Sequence, residues 1–265
     1  MIGVLIIGDE ILSGRREDKH LSKSIELLGE RGLKLSWARY VGDEPERIVA
    51  ELSAVRASGD VVFSFGGIGA TPDDHTRAAA AAAWDVPLTL HAQAKPLILE
   101  RSRLMAEQEG RAFDASSADT IRRLDMGCFP VGADIIPNPY NQIPGFSMVR
   151  RVHFLPGFPV MAWPMMAWVL DTLHANLHGT QRQVEMAVIV YAKTESALTP
   201  LMLEIESRFP EIKVFSLPSV DHPVHGRHVE LGVKGEEELC LRAFAELRVG
   251  LLNIGAQLGP EMVRK

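Results

Sequence analysis

Residues 63–77 combine residue types that bind phosphate with residue types that bind a hard cation. An apolar run at 61–65 breaks into the glycine-rich segment 66–70, and helix-forming residues follow. A strand that ends in a glycine turn before a helix presents main-chain N–H groups to an anion. Asp73 and Asp74 would repel a phosphate unless a divalent cation lay between them. The pattern therefore predicts a phosphorylated ligand held together with a divalent metal, which we expect to be Mg²⁺.

Residues 71–83 are predicted to form the helix that follows the glycine segment. Thr71 suits the N-cap position, Pro72 the first helical position, and Asp73 and Asp74 the first turn. Six alanines at 78–83 add high helix propensity. Thr71 and Asp74 could also form a capping box with no further role, so a purely structural interpretation stays open.

Two more acidic loops follow predicted strands. Asp43 lies in the second of them, where it would also suit the N-cap of the next helix, and the acids of the first loop would likewise suit capping. Ligands of open α/β sheets bind at the carboxyl ends of strands, where we expect all three loops to meet. The first loop comprises Gly8, Asp9, Glu10, Ile11, Leu12, Ser13 and Gly14.

The first 177 residues alternate predicted strands with predicted helices. Near-continuous apolar strands between amphipathic helices indicate a mostly parallel sheet that is covered on both faces. Strands are predicted at residues 3–7, 33–41 and 61–65 and within 133–155, and helices at 18–31, 45–57, 71–83, 96–109 and from 159 to about 176.

The pattern changes after a short linker that is predicted at residues 178–181. Strands are predicted at 184–191, 212–217 and 227–233, and helices at 194–209 and 236–251. This order predicts a small α+β domain over residues 181–255, next to an α/β domain over residues 1–177.

Composition and charge argue against several classes of function. The 265 residues carry a net charge of -6 at pH 7 without a dense run of Lys or Arg, which argues against nucleic-acid binding. Pairs such as Arg15 and Arg16 are interpreted as solvated surface. Residues 154–170 lack charge, but prolines interrupt them and they fall short of the roughly 20 apolar residues of a membrane helix. Two cysteines and no signal-peptide pattern predict a cytoplasmic protein without disulfides or a zinc site.

Two motifs together resemble the MoaB/Mog molybdopterin-binding family, and within it the amino-terminal part of CinA-type (competence/damage-inducible) proteins. They are the segments 8–14 and 66–76, and the resemblance extends over nearly the whole chain. Residues after 181 resemble the small domain that follows in CinA-type chains. The amidohydrolase domain that ends full-length CinA is expected to be missing, and nicotinamide-mononucleotide deamidation with it. Further matches are 137–139, 144–146 and 155–159.

The resemblance implies a three-layer α/β sandwich with a pocket for pterin or nucleotide phosphates. By motif position, Asp43 and Asp74 correspond to the acids that assist adenylyl transfer to molybdopterin in Mog-type members, and they would hold the metal. In CinA-type members the same pocket is associated with metal-dependent hydrolysis of ADP-ribose. A dimer or trimer is also implied. The other predicted ligand-binding residues are Gly8, Asp9, Glu10, Ser13, Gly14, Gly66, Gly67, Ile68, Gly69, Thr71, Asn138, Pro156 and Gly157.

The chain departs from the CinA-type pattern at positions that could contact a ligand. Residues 141–143 are Asn-Gln-Ile where Gly-Thr-Ala is usual, and residues 160–162 are Val-Met-Ala where Ser-Glu-Met is usual. Ala70 replaces a proline, and His20 replaces an asparagine. A lone histidine in an amphipathic helix is typical of surface or core. The lost hydroxyl and acid favour an alternative, a pterin- or nucleotide-binding module without turnover.

Two other clusters have structural interpretations. His222, His225 and His228 have the spacing of metal ligands, but the proline and glycine among them favour a hairpin loop between two strands. The Met- and Trp-rich residues 161–168 are apolar at helical spacing, which favours core or subunit interface over a surface that faces a ligand.

Overall fold

A six-stranded sheet forms the centre of the first of two structural units, which comprise residues 1–178 and 179–265. The computed structural model describes residues 1–179 and 183–264, so the predicted linker lies partly outside the described residues. In chain order the first unit contains β1 (Ile2–Ile7), α1 (Asp9–Leu12), α2 (His20–Gly29), β2 (Trp37–Val41), α3 (Pro45–Ser58), β3 (Val61–Phe65), α4 (Thr76–Trp84), β4 (Leu88–Leu90), α5 (Ala94–Gln108), α6 (Ala118–Asp125), β5 (Cys128–Pro130), β6 (Asp134–Ile136), β7 (Gly145–Met148), β8 (Val152–Leu155) and α7 (Pro159–Leu173).

This sheet is mixed and mostly parallel, with the strand order β2-β1-β3-β8-β7-β6. β1 pairs in parallel with β2 and β3, and β3 pairs in parallel with β8. The pairs β8–β7 and β7–β6 are antiparallel. Parallel neighbours need a crossover connection, which α2 and α3 supply for the first three strands. The prediction of an α/β fold with a mostly parallel sheet is confirmed.

Helices cover both faces of the sheet, which makes three layers. All six residues of β1 are buried, with Leu5 in the core beneath α3, α4 and α5, and with Val4 and Ile6 in the core beneath α2 and α7. Met165 and Met166 of α7 are fully buried in the second core. The prediction of core packing for the Met- and Trp-rich segment is therefore confirmed for these side chains.

Helix α4 begins later than predicted. It begins at Thr76 instead of Thr71, and residue 72 is not its first position. The reason is local, because the carboxylate of Asp74 accepts the main-chain N–H groups of Gly69 and Thr71 and closes residues 69–74 into a turn. The placement of Thr71 as N-cap is wrong. Helix α6 and the β4–β5 pair were not predicted.

The second unit is a four-stranded antiparallel sheet with helices against one face, which confirms the predicted α+β class. Strand order is β10-β11-β9-β12. Leu198 and Leu247 of the helices are fully buried, in the same core as Val190 and Leu231 of the sheet. The elements are β9 (Gln183–Tyr191), α8 (Glu195–Arg208), β10 (Lys213–His222), β11 (Gly226–Glu236), α9 (Glu237–Asn253) and β12 (Gln257–Arg264). Across residues 1–179 and 183–264, every helix is too short or too polar to cross a membrane.

Candidate functional site

A cleft of about 690 Å³ opens at the carboxyl ends of the parallel strands of the first unit. Gly8 follows β1, Asp43 lies just after β2, Gly66 follows β3, and Pro156 follows β8. Parallel strands bring the loops that follow them to one edge of a sheet, as the sequence predicts. The predicted site residues that line the cleft are Gly8, Glu10, Asp43, Gly66, Gly67, Ile68, Gly69, Thr71, Asp74, Asn138, Pro156 and Gly157.

Three of the predicted site residues, Asp9, Ser13 and Gly14, lie outside the cleft wall. Asp9 begins the short helix α1, and its carboxylate points to the neighbouring loop, where it accepts the main-chain N–H of Asp43 at 3.2 Å. Ser13 is exposed, and its Oγ accepts the Nε–H of Arg15 at 3.1 Å. Asp9 therefore supports the loop after β2 that carries Asp43, although it does not line the cleft itself.

Gly66 and Gly67 let the chain turn tightly at the end of β3. Both have positive φ, 99° and 68°, which other residues rarely adopt. A Cβ atom on Gly66 would lie 2.3 Å from the carbonyl oxygen of Ile7, and one on Gly67 would lie 2.1 Å from the Thr76 hydroxyl. The Thr76 N–H donates to the Gly67 carbonyl at 2.9 Å, which fixes the first turn of α4 against this loop.

Asp74 closes the glycine loop. Its Oδ1 accepts the Gly69 N–H at 2.8 Å, and its Oδ2 accepts both the N–H and the hydroxyl of Thr71, at 2.8 and 2.5 Å. The Gly66 N–H donates to the carbonyl of Leu155 at 3.0 Å. The expectation of free main-chain donors is therefore wrong for Gly66 and Gly69, because the protein itself accepts these bonds.

The free donors of the loop lie between these bonds. Within residues 1–179 and 183–264, the N–H groups of Gly67, Ile68 and Ala70 have no hydrogen-bond acceptor. All three residues line the cleft. An oxyanion there would find main-chain donors, but from a narrower segment than the sequence predicts.

Asp9 and Asp43 join the loops that follow β1 and β2. The Asp9 N–H donates to Asp43 Oδ2 at 2.9 Å, and the Asp43 N–H donates to Asp9 Oδ1 at 3.2 Å. Burial raises the pKa of Asp43, and the charges of Asp9, Glu10 and Asp73 raise it further, while the Asp9 N–H opposes the shift. Asp43 therefore holds a proton more readily than an ordinary aspartate does.

The acids of the cleft do not form a metal site of three or more protein ligands. Among residues 1–179 and 183–264, there is no group of three His, Cys, Asp or Glu side chains arranged to hold a metal ion. The acids that act on Asp43 are Asp9, Glu10 and Asp73. The pairing of Asp43 with Asp74 as joint metal ligands therefore stays a prediction.

His20 contributes to the cleft wall, which the sequence did not predict. It is only 5% exposed, its ring stacks on Phe65 with centroids 4.5 Å apart, and its Nε2–H donates to the Gly157 carbonyl at 3.1 Å. Burial lowers the pKa of His20, so the imidazole is neutral at pH 7. Asp18 begins this helix by accepting the N–H groups of His20 and Leu21. Asp18, two residues before His20, is the sequence signal that could have indicated a helix start that fixes the position of His20.

Arg16 also lines the cleft instead of serving only as solvated surface. Its Nη1 lies 3.5 Å from Glu10 Oε1, and its guanidinium lies 6.0 Å from the centroid of the exposed Phe158 ring. Arg16 and Phe158 lie far apart in the chain, so no local sequence signal reveals their contact. Together, Arg16 and Phe158 give the cleft a cationic and aromatic part of its wall.

The side chain of Asn138 forms its hydrogen bonds within the turn at residues 138–143. Asn138 Nδ2 donates to Asn141 Oδ1 at 2.8 Å and to the Ile143 carbonyl at 3.0 Å, and Asn138 Oδ1 accepts the Tyr140 N–H. Asn141 Nδ2 contacts Met161 Sδ at 3.6 Å. Asn138 thus shapes the wall, and its side chain is already hydrogen-bonded within the turn.

The histidine cluster of the second unit lies at a hairpin, as predicted. β10 ends at His222 and β11 begins at Gly226. The rings of His222, His225 and His228 lie 5.0 to 5.8 Å apart between centroids. The Nδ1 atom of His222 accepts main-chain N–H groups of the turn, which favours the structural interpretation.

A family comparison identifies the class of the first unit. The sequence profile of the family described as "Probable molybdopterin binding domain" (MoCF_biosynth) matches residues 3–175. The chain belongs to this molybdopterin-binding domain family, and its first unit is a MoaB/Mog-like domain of the CinA type.

Individual relatives agree with this assignment. The chain is 27% identical over 255 residues to a CinA-like protein of Anaeromyxobacter dehalogenans, covering 89% of the chain and 60% of that protein. It is 30% identical over 207 residues to a CinA-like protein of another Anaeromyxobacter strain, covering 76% of the chain and 48% of that protein. The chain therefore spans about half to three-fifths of the length of these relatives.

A solved structure also resembles the chain. The crystal structure of the protein CinA with unknown function from Thermoplasma acidophilum matches with a TM-score of 0.54 and 25% sequence identity. The match covers 65% of this chain and 96% of that one. The resemblance supports the mostly parallel α/β architecture described above.

Proposed function

We propose that the protein binds a phosphorylated pterin or an adenine nucleotide in this cleft, together with a divalent cation, and acts on the phosphate linkage. One observation carries the proposal: the main-chain N–H groups of Gly67 and Ile68, which have no acceptor among the residues that the structure describes, share a cleft with the carboxylates of Glu10, Asp43 and Asp73. The N–H groups suit phosphate oxygens, and the carboxylates suit the cation between them and the phosphate. Membership of the molybdopterin-binding family supports a pterin ligand.

The donor set of the cleft fits Mg²⁺. Carboxylate oxygens are its preferred protein ligands, and it is usually bound by one or two carboxylates together with substrate phosphates. We propose Asp43 and Asp74 for this role. Asp43 Oδ2 and Asp74 Oδ1 each accept one main-chain N–H, which fixes their position and leaves a lone pair for the cation. Asp43 Oδ1 has no hydrogen-bond partner among the described residues, so it stays available for a proton. A bound cation would neutralise charge on the phosphate oxygens.

Hydrolysis of a diphosphate needs groups that hold the phosphate and a group that takes a proton. The N–H groups of Gly67 and Ile68 would bind oxygens of the attacked phosphate. A water oxygen would bond to phosphorus while the bond to the leaving phosphate oxygen breaks, and Asp43 Oδ1 would accept the water proton. Burial and the neighbouring acids raise the pKa of Asp43, which makes it a stronger base than an ordinary aspartate. In adenylyl transfer, a phosphate oxygen of molybdopterin would replace the water.

Turnover assays test this proposal. We expect ADP-ribose, FAD or adenylylated molybdopterin to be cleaved in the presence of Mg²⁺ or a similar cation. Asp43→Asn and Asp74→Asn should reduce the turnover, whereas Asp221→Asn in the exposed part of β10 should not. Turnover that both cleft variants leave unchanged would contradict the assigned roles.

A second candidate is a binding module without turnover. It is favoured because Asp74 is engaged by the glycine loop and because residues 141–143 carry no hydroxyl or acid. Calorimetry with ADP-ribose and molybdopterin separates the candidates. Tight binding without cleavage supports the module, and metal-dependent cleavage excludes it.

We also propose that the protein works in the cytoplasm as a dimer or trimer. Both cysteines, Cys128 and Cys240, carry free thiols, which fits a reducing compartment. Sedimentation equilibrium tests the oligomer, and a monomer at micromolar concentration would contradict it.

A further inference from the structure

Arg77 of α4 contacts the glycine loop through its guanidinium. It is the second residue of α4, and it is not among the residues that line the cleft. Its Nη2 donates to the Gly69 carbonyl at 2.7 Å, and its Nη1 donates to the carbonyl of Asp125, the last residue of α6. The guanidinium thus joins the glycine loop to the end of α6.

Gly69 is held on both sides of its main chain. Asp74 accepts its N–H, and Arg77 donates to its carbonyl oxygen. That carbonyl belongs to the peptide group that carries the N–H of Ala70, which has no acceptor in the described part of the chain. A charged donor on a peptide carbonyl polarises the peptide and strengthens its N–H as a donor.

Burying part of the Arg77 guanidinium costs free energy, and its bonds to the loop offset that cost. Its Nε atom is buried without a hydrogen-bond partner among the described residues. Burial lowers the pKa of Arg77, and the nearby acids Asp74 and Asp125 oppose that shift. An arginine keeps its charge in either case. The glycine loop of the cleft therefore has a fixed positive charge in contact with it, and several carboxylates lie close by.

We propose that Arg77 is a positioning residue for phosphate: it holds the Gly69–Ala70 peptide in place and strengthens the Ala70 N–H as a donor to an anion in the cleft. The inference rests on the proposed function, because it assumes that the cleft binds phosphate. Arg77 acts through the peptide and does not itself contact the ligand.

Pyrophosphate titration of the full chain in Mg²⁺ tests this role. We expect Arg77→Met to weaken pyrophosphate binding by about tenfold or more, because a hydrogen bond from a charged donor is lost. Arg77→Lys keeps the charge but cannot reach both carbonyls, so its affinity should lie between those of Arg77→Met and the wild type. Arg103→Met on α5 is the matched control, because it removes an exposed arginine outside the cleft and should leave the affinity unchanged.

Hydrogen exchange gives a readout that needs no ligand. In Arg77→Met, the amides of residues 69–71 should exchange faster than in the wild type, and those of β1 should not. If Arg77→Met does not fold, Arg77→Lys decides the question. Wild-type affinity in a folded Arg77 variant would overturn this inference alone, whereas a wild-type protein that binds no pyrophosphate would overturn the proposed function as well.

Discussion

Two loops that line the cleft, the one after β2 and the one after β3, use their aspartates differently. Asp43 exchanges one hydrogen bond with Asp9 in each direction, has a raised pKa, and keeps one carboxylate oxygen without a partner in the described part of the chain. Asp74 accepts three hydrogen bonds from Gly69 and Thr71, so its carboxylate holds a loop together. The comparison indicates that Asp74 is needed first for the shape of the site, whereas Asp43 is free to take part in chemistry.

Asp74→Asn should give the largest loss of stability. Asparagine keeps one acceptor oxygen, so one of the N–H groups of Gly69 and Thr71 loses its partner. We expect the free energy of unfolding to fall by about 2 kcal/mol, at the lower end for bonds to a charged group because Asp74 is only partly buried. Urea unfolding measures this change, with Asp221→Asn as the control. A loss no larger than that of the control would show that Asp74 does not hold the loop.

Asp43→Asn should separate activity from stability. Asparagine can still accept the Asp9 N–H, and the variant removes a charge close to three other acids. We expect stability within about 0.5 kcal/mol of the wild type. Turnover of the cleaved substrate should fall by about 100-fold, the typical contribution of a general base. An unchanged rate in a folded variant would mean that Asp43 does not carry the reaction.

The pH dependence of the rate sharpens the role of Asp43. A base must be deprotonated, so the rate should fall as the pH drops through the raised pKa of Asp43, above its ordinary value of 3.8. Glu10→Gln removes a charge that raises this pKa, so the acid limb of the rate profile should move to lower pH. Glu46→Gln on α3 is the control. An acid limb that stays in place with Glu10→Gln would assign it to another group.

The loss of folding stability at acidic pH should come from a buried pair of histidines and not from Asp43. His153 Nε2 lies 2.8 Å from His174 Nε2, and burial, with a smaller contribution from His174, lowers the pKa of His153 to about 3. The unfolded chain then binds more protons between pH 6.5 and 3, so stability decreases as pH falls through this window, by up to about 1.4 kcal/mol per pH unit for this group. Asp43 has the opposite sign, because its raised pKa favours the folded state at low pH.

Unfolding curves at several pH values test this sign. His153→Leu should flatten the decrease between pH 6.5 and 4, whatever it does to stability at pH 7. His178→Gln is a control outside the pair. A decrease in His153→Leu as steep as in the wild type would exclude the pair as its cause.

Thr71→Val should have the smallest effect. It removes the hydroxyl that donates to Asp74 and also interacts with the Asp73 carboxylate, so we expect a loss of about 0.5 to 1 kcal/mol. Thr71→Ser keeps the hydroxyl and should remain close to the wild type in urea unfolding. Equal stabilities of the two variants would show that this bond contributes little.

Much of the fold could be predicted from the sequence because the signals for its strands and loops are local. Continuous apolar runs mark β1 and β3, and the glycines after them mark the loops of the cleft. Strand β12 was missed because Gly259 and Pro260 interrupt its pattern, and the strand accommodates them with a bulge between Leu258 and Glu261.

The parts of the site that the sequence missed depend on distant contacts. His20 meets Gly157 across 137 positions of the chain, and Arg77 meets Asp125 across 48. The bond from the Thr71 N–H to Asp74 agrees with the capping box that the sequence left open, whereas the bond from Gly69 to Asp74 was missed. It was missed for a different reason: helix-start signals at residues 71–74 favour a cap over a turn. Local propensity does not decide between these two uses of the same residues.

A crystal structure with bound ADP-ribose and Mg²⁺ tests the account most directly. We predict a phosphate oxygen within hydrogen-bond distance of the N–H groups of Gly67 and Ile68, and a cation between that phosphate and Asp43. A ligand bound elsewhere, or a phosphate that approaches the loop without a cation near the carboxylates, would contradict it.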